Sequence, residues 1–273
     1  MSRVARQYAL TAAAALAVLI GAITAAASPS HPQSEHRTPA PPLVHALAQT
    51  RQALPLAGKV IGIDPGHNGG NFADPGYLSR LIWNGREWET CDTTGTETDA
   101  GYTEARYNFR VATFLRADLI MDGARVVMTR NSDSGVGPCV NRRSQIIDKA
   151  HADVAIDIHA DGAPSGGRGF AILEPVKDGP NDQVITSSER FGALLRSAFR
   201  AGTGMPVSTY DGVNGVNFRD DLAGLNLTTV PKVLIECGNM RNATDARLLT
   251  STRFQQAAAR AMAAAIVAFL QRS

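Results

Sequence analysis

Aromatic residues make up only 6% of this 273-residue chain, and just two are tryptophans. Net charge is also scarce: 27 lysines and arginines face 25 aspartates and glutamates. Two of the arginines, Arg3 and Arg6, stand in the first 27 residues, which contain no acid, so the remainder is electrically balanced. Such a chain lacks the clustered basic field needed to hold nucleic acid or an anionic polymer, although a local groove is still allowed. Three cysteines are too few for a disulfide-dense scaffold. After residue 27 no apolar run is long enough to cross a bilayer, so no membrane span is expected in the mature chain. No internal repeat is visible. What is present, 44% hydrophobic and 19% charged residues, is enough to bury one substantial core, and one folded domain is the expectation.

The first 27 residues carry two arginines, an uncharged Ala- and Leu-rich run, and Ala25-Ala26-Ala27 as a small-residue cleavage site. That pattern is a secretory signal peptide, with an uncleaved anchor as the alternative. Both place the rest of the chain outside the cytoplasm, in the periplasm, the cell wall or the medium. Residues 28–55, with Pro29, Pro32, Pro39, Pro41 and Pro42, read as a linker. The folded domain is then expected over 56–273. An exported chain can form disulfides. Cys91 and Cys139 both lie in loop-like sequence, whereas Cys237 ends an apolar run, so the expected pair is Cys91 with Cys139, the alternative being three free thiols.

From Lys59 onward β-rich runs alternate with helical patterns. The expected strands are 59–64, 124–129, 154–159, 170–173 and 232–236, mostly continuous apolar runs of the kind buried on both faces. Thr103 can cap a helix with Tyr107, Val111, Phe114, Leu115 and Leu119 in one stripe and Gly123 as its stop. Further helices are expected at 140–150, at 187–201 with Gly202 ending it, and at 251–271. The alternation predicts a three-layer α/β domain with a largely parallel sheet.

In such a sheet, sites form at the carboxyl ends of strands. Three strands here end in chemistry: one turns through Pro65-Gly66 into His67, another runs into His159, and a third into Glu236. A catalytic zinc takes three ligands from His, Asp or Glu and keeps a position open for water. His67 and His159 supply two. Glu104 qualifies as the third, in the first turn of a helix and three residues before the core-facing Tyr107. Glu87, Glu89 and Glu97 lie in polar loop sequence without that orientation. Glu236 is then free to act as a base.

These residues resemble a known family. Val60 to Gly70, Thr103-Glu104-Ala105, Arg142-Arg143 with the run from Ala150 through Asp161, and Pro231 to Gly238 followed by Asn242 to Asp245 are similar, in order, to four motifs of the zinc-dependent N-acetylmuramoyl-L-alanine amidases of type 3. The resemblance spans residues 58–271 and is nearest to exported, mycobacterial-type members with a catalytic domain alone. It implies a twisted six-stranded sheet flanked by helices, and a peptidoglycan hydrolase that cuts the amide between the lactyl group of N-acetylmuramic acid and L-alanine of the stem peptide. It further implies one zinc ion on His67, Glu104 and His159, with Glu236 as general base. The implied partner is peptidoglycan or its muropeptide fragments.

The interval from Tyr77 to Gly101, holding Trp83, Trp88 and Cys91, is longer than the family pattern. It reads as a hairpin or flap pinned by the disulfide, with the tryptophans expected to pack it rather than line a groove. Arg219, before Asp220, Asp221 and an expected strand-like stretch, is a weaker candidate for substrate contact, a surface ion pair being its alternative. Cys237 reads as a buried hydrophobe rather than a nucleophile. A monomer is expected. The competing functions are a non-catalytic wall-binding or regulatory module, another exported zinc peptidase, and a Cys/His hydrolase using Cys237.

Overall fold

The computed structural model describes residues 53–271. The signal-peptide reading and all of the linker before residue 53 lie outside the described residues. Ala53 to Pro55 are exposed, and Leu56 is the first residue fully buried in the core.

The elements run β1 (Val60–Pro65), α1 (Pro75–Leu78), β2 (Leu81–Trp83), β3 (Trp88–Thr90), α2 (Glu104–Met121), β4 (Arg125–Met128), α3 (Val140–Lys149) and β5 (Val154–Asp161). They continue with β6 (Ala171–Pro175), α4 (Ile185–Thr203), β7 (Val216–Arg219), α5 (Ala223–Asn226), β8 (Lys232–Asn239), α6 (Ala243–Leu249) and α7 (Thr252–Gln271). Six strands form one sheet in the order β4-β1-β5-β8-β6-β7, and β2 pairs with β3 in a separate hairpin. All neighbours in the large sheet are parallel except β6 against β8. The six-stranded, mostly parallel α/β architecture is therefore as expected.

Alternation along the strands assigns the two faces. Ile61, Ile63, Ile156, Ile158, Val233 and Ile235 point into one layer, packed with the buried stripes of α2, α4 and α7. Tyr107, Val111, Leu115 and Leu119 line the α2 stripe, and Thr103 caps that helix through a bond from the Arg106 N–H. The other face carries smaller apolar clusters, Ala155 with Ile147 of α3 and Leu234 with Leu225 of α5. Gly62 on β1 belongs here: a Cβ would sit 3.0 Å from both Ala155 and Ile147, so the glycine lets α3 lie close to the sheet.

Two local expectations change. Gly204, at φ 70°, ends α4 rather than Gly202. Gly202 lies inside the helix, where a Cβ would be 3.0 Å from that of Ala261 on α7, so its role is close helix packing. Arg219 ends a strand rather than preceding one, and a short helix, α5, follows it. β7 has one strand neighbour and an exposed Phe218, which leaves little apolar signal in its sequence.

Candidate active site

β1 and β5 are in parallel register, Asp64 beside Asp157, and β5 sets His159 beside Glu236 of β8. The parallel strands therefore deliver three polar ends to one rim. His67 follows β1 through a turn in which its own backbone takes φ 54°, a left-handed conformation that non-glycine residues rarely adopt. The turn is clamped from two sides. Arg143 Nη1 donates to the Pro65 carbonyl at 2.7 Å and its Nη2 to the His67 carbonyl at 2.9 Å. Arg130 Nε donates to the Pro65 carbonyl at 2.9 Å and its Nη2 to the Ala105 carbonyl at 2.7 Å, tying the end of β1 to the start of α2.

That tie brings Glu104 to the histidines. Its Oε1 lies 2.8 Å from His159 Nδ1, and its Oε2 lies 3.4 Å from His67 Nε2. One donor atom from each of His67, Glu104 and His159 falls within 4.8 Å of the others. The Thr96 N–H donates to Glu104 Oε2 at 3.0 Å and Asn108 Nδ2 to Oε1 at 3.3 Å. Two glycines make room. A Cβ at Gly66 would overlap the His159 ring, and one at Gly95 would stand 2.7 Å from Glu104 Oε2. Glu97 is taken up in a backbone bridge to Thr103, and Glu89 lines the adjacent cleft without joining the cluster.

The outer nitrogens of both rings meet carboxylates. His67 Nδ1 is 2.9 Å from Asp92 Oδ1, and His159 Nε2 is 3.3 Å from Asp157 Oδ1. This leaves His67 Nε2 and His159 Nδ1 turned toward Glu104, the arrangement in which outer carboxylates orient metal-binding imidazoles. Behind them runs a buried chain of charge. Arg143 joins Asp92 at 3.1 Å to Asp64 at 3.1 Å, and Lys232 joins Asp64 at 2.8 Å to Asp157 at 3.4 Å.

Electrostatics ask for a cation at the centre. Burial pulls the His67 imidazole down, yet the Glu104 charge and the Asp92 bond outweigh it and raise His67 to about 9. His159 is likewise held well above its usual value, burial being overcome by Asp157 and Glu104. Glu104 stays well below the ordinary carboxylate range against the effect of burial, because both histidines face it. The set of two imidazoles and a carboxylate suits zinc, and a divalent ion there would supply the positive charge that protons otherwise bring.

Glu236 behaves differently. Burial pushes its carboxyl well above the usual range, with His159 giving partial relief and Glu104 opposing. Its Oε2 is enclosed without a hydrogen-bond partner among the described residues. Cys237, the next residue, points to the opposite, apolar layer, where burial drives its thiol far up. A cysteine nucleophile at this rim is thereby excluded. Arg219 commits both Nε and Nη2 to Asp221, at 2.7 and 2.6 Å.

A cavity of 180 Å³ opens beside the two histidines, walled by Arg143 and Asp157, by Leu222 to Gly224 around the start of α5, and by Glu89 and Thr90 of the hairpin. Cys91 and Cys139 form a disulfide at the hairpin's base. The expectation that the tryptophans pack this segment is corrected: Trp83 and Trp88 are 45% and 65% exposed, and Ile82 buries itself beside Cys91 and Ala223 instead. Asp92, Arg130 and Lys232 escaped the sequence reading. Asp157 carried a usable signal, two residues before His159 on one strand face. Asp92 carried none, because a loop residue has no period.

Residues 61–268 match the protein family described as N-acetylmuramoyl-L-alanine amidase. The N-acetylmuramoyl-L-alanine amidase Rv3717 of Mycobacterium tuberculosis is 36% identical over 222 residues, 79% of this chain and 88% of that protein. Among solved structures, the N-acetylmuramyl-L-alanine amidase Ami1 of Mycobacterium smegmatis is 37% identical with a TM-score of 0.75, covering 80% of this chain and 99% of that one. Apo Ami1 of Mycobacterium abscessus is 38% identical with a TM-score of 0.74, covering 78% and 99%.

Proposed function

This chain belongs to the N-acetylmuramoyl-L-alanine amidase family, and from that premise we propose that it is a zinc-dependent peptidoglycan hydrolase. The bond cut is the amide between the lactyl group of N-acetylmuramic acid and L-alanine of the stem peptide. His67, Glu104 and His159 hold the ion, and Glu236 is the general base. The observation that carries this reading is the convergence of two imidazoles and a carboxylate beside a second carboxylate whose Oε2 has no partner.

A zinc ion held by His67, Glu104 and His159 would bring the pKa of its water down to about 7 and polarise the scissile carbonyl. The protein's own groups do the rest. Glu236 Oε2, free of competing donors, accepts the proton of the attacking water and returns it to the leaving alanine nitrogen. Asp92 holds the His67 ring through its Nδ1, and the Asp157 carboxylate stands 3.3 Å from the outer nitrogen of His159.

The leader-like first 27 residues and the Cys91–Cys139 bridge support an exported, oxidising location. Among the described residues no helix is long and apolar enough to cross a membrane.

The test is mass spectrometry of products from a defined muropeptide, with metal content measured on the same sample. Chelation should abolish release of L-alanine amino termini and zinc should restore it. Glu236→Gln should keep one zinc per chain while turnover falls by about 10²- to 10⁴-fold. Full turnover in Glu236→Gln would remove the base role.

A further inference from the structure

Both tryptophans of this chain sit opposite one another on the β2–β3 hairpin. Their rings are T-shaped with centroids 5.7 Å apart, and Leu81 on the same face is 63% exposed. The hairpin does not need them as anchors. Its other face is held by Ile82, and its base by the disulfide. Its tip is tied by Arg86, whose Nε lies 2.8 Å from Asp178 Oδ1 and whose Nη2 donates to the Lys177 carbonyl at 3.1 Å. Exposed apolar surface on a fixed support marks a binding face. It reaches the cleft at one end: Thr90, two residues beyond Trp88 on the same side of the strand, lines the cavity beside His67 and His159 together with Glu89 of the other side.

We propose that the Trp83–Trp88 face is a platform for the sugar strand of the substrate, stacking N-acetylated pyranose rings as the strand passes the metal cleft. This deepens the amidase reading and rests on it. A substrate cut between sugar and peptide leaves the scissile amide in two directions. The stem peptide is short, whereas the glycan continues on both sides and needs an open surface. Indole faces offer broad, rigid apolar area with a negative quadrupole, which suits the C–H faces of pyranose rings. The balanced charge of the chain beyond residue 27 supplies no general electrostatic hold on the wall, which leaves local contacts such as this apolar face to contribute. A hairpin fixed at base and tip loses little conformational freedom on binding.

Because no tryptophan lies elsewhere, intrinsic emission reports on the platform directly. The zinc-loaded full chain is titrated with a β-1,4-linked N-acetylglucosamine tetramer and, separately, with the sugar-free dipeptide L-alanyl-D-isoglutamine. A saturable emission change with the tetramer and none with the dipeptide is expected. Trp88→Ala should weaken sedimentation with insoluble peptidoglycan, and raise KM on the polymer, by about tenfold. Its kcat on a soluble N-acetylmuramoyl dipeptide should stay within about twofold of the wild type, and Trp88→Tyr should rescue most of the binding. An emission response to the dipeptide alone, a ligand-free response to protein concentration, or no response to millimolar tetramer would each overturn the platform. The amidase reading fails separately, if the wild-type chain cannot cleave the soluble muramoyl dipeptide, and the emission titration still decides the platform.

Discussion

On the sheet face beneath α2, α4 and α7, the central strands present Ile61, Ile63, Ile156, Ile158, Val233 and Ile235, all fully buried among apolar neighbours. On the face beneath α3 and α5, alternate positions of the same strands present Asp64, Asp157 and Lys232, which Arg143 and Asp92 extend into a buried chain of charge ending at both histidines. Two side-chain layers on one backbone thus have different tasks. Apolar burial contributes folding free energy in proportion to area. A buried ion network contributes little net stability, because desolvation offsets attraction, but its members are strongly coupled to geometry. Here that geometry ends on the outer nitrogens of the candidate metal ligands.

The contrast can be broken by substitutions in each layer. Phe199, fully buried with its ring 4.9 Å from Phe170, belongs to the apolar layer. Phe199→Ala should lose about 3–5 kcal/mol of stability in urea unfolding. Zinc affinity of the folded fraction should be unchanged; weaker binding would show that the apolar layer also positions the site. Lys232→Met strips Asp157 of its lysine and leaves Asp64 with Arg143 alone, and should lose a similar 3–5 kcal/mol. Unlike Phe199→Ala, it should also weaken zinc in a competition assay with a chelator. Asp157→Asn keeps the Asp64–Lys232 pair and removes the charge behind His159, so zinc affinity should fall by about 10- to 100-fold with a small change in stability.

The smallest effect is one of pH. Asp64 is held well below the carboxylate range, Lys232 and Arg143 overcoming the effect of burial. Its folded-state value is therefore below its unfolded one. The resulting stability is present above the unfolded value, about 3.9, and is lost as pH falls toward the folded value, at no more than about 1.4 kcal/mol per pH unit. Urea midpoints of metal-free protein at pH 5 and pH 3 should differ more in the wild type than in Lys232→Met. Equal differences would detach Asp64 from the network.

The layer that is uniform in character was legible in the sequence and the mixed one only in fragments. Strands β1, β4, β5, β6 and β8 announced themselves as apolar runs, and α2 and α7 as stripes, because local periodicity and burial act on neighbouring residues. The edge strand β7, the helix stop at Gly204 rather than Gly202, and the exposure of Trp83 and Trp88 depend on what lies across from them. So do Asp92 and Lys232, whose side chains have meaning only beside partners 25 and 168 residues away.

By itself the order of residues determined that an α/β sheet would form and that His67, His159 and Glu236 would stand at strand ends, since strand period and turn residues are local properties of the chain. Only the tertiary structure decided that Glu104 reaches both rings, which nitrogen each ring turns inward, and which charges stand behind them. The reason is that Coulomb attraction and hydrogen bonding depend on distances of a few ångströms in space, and separation along the sequence does not encode these.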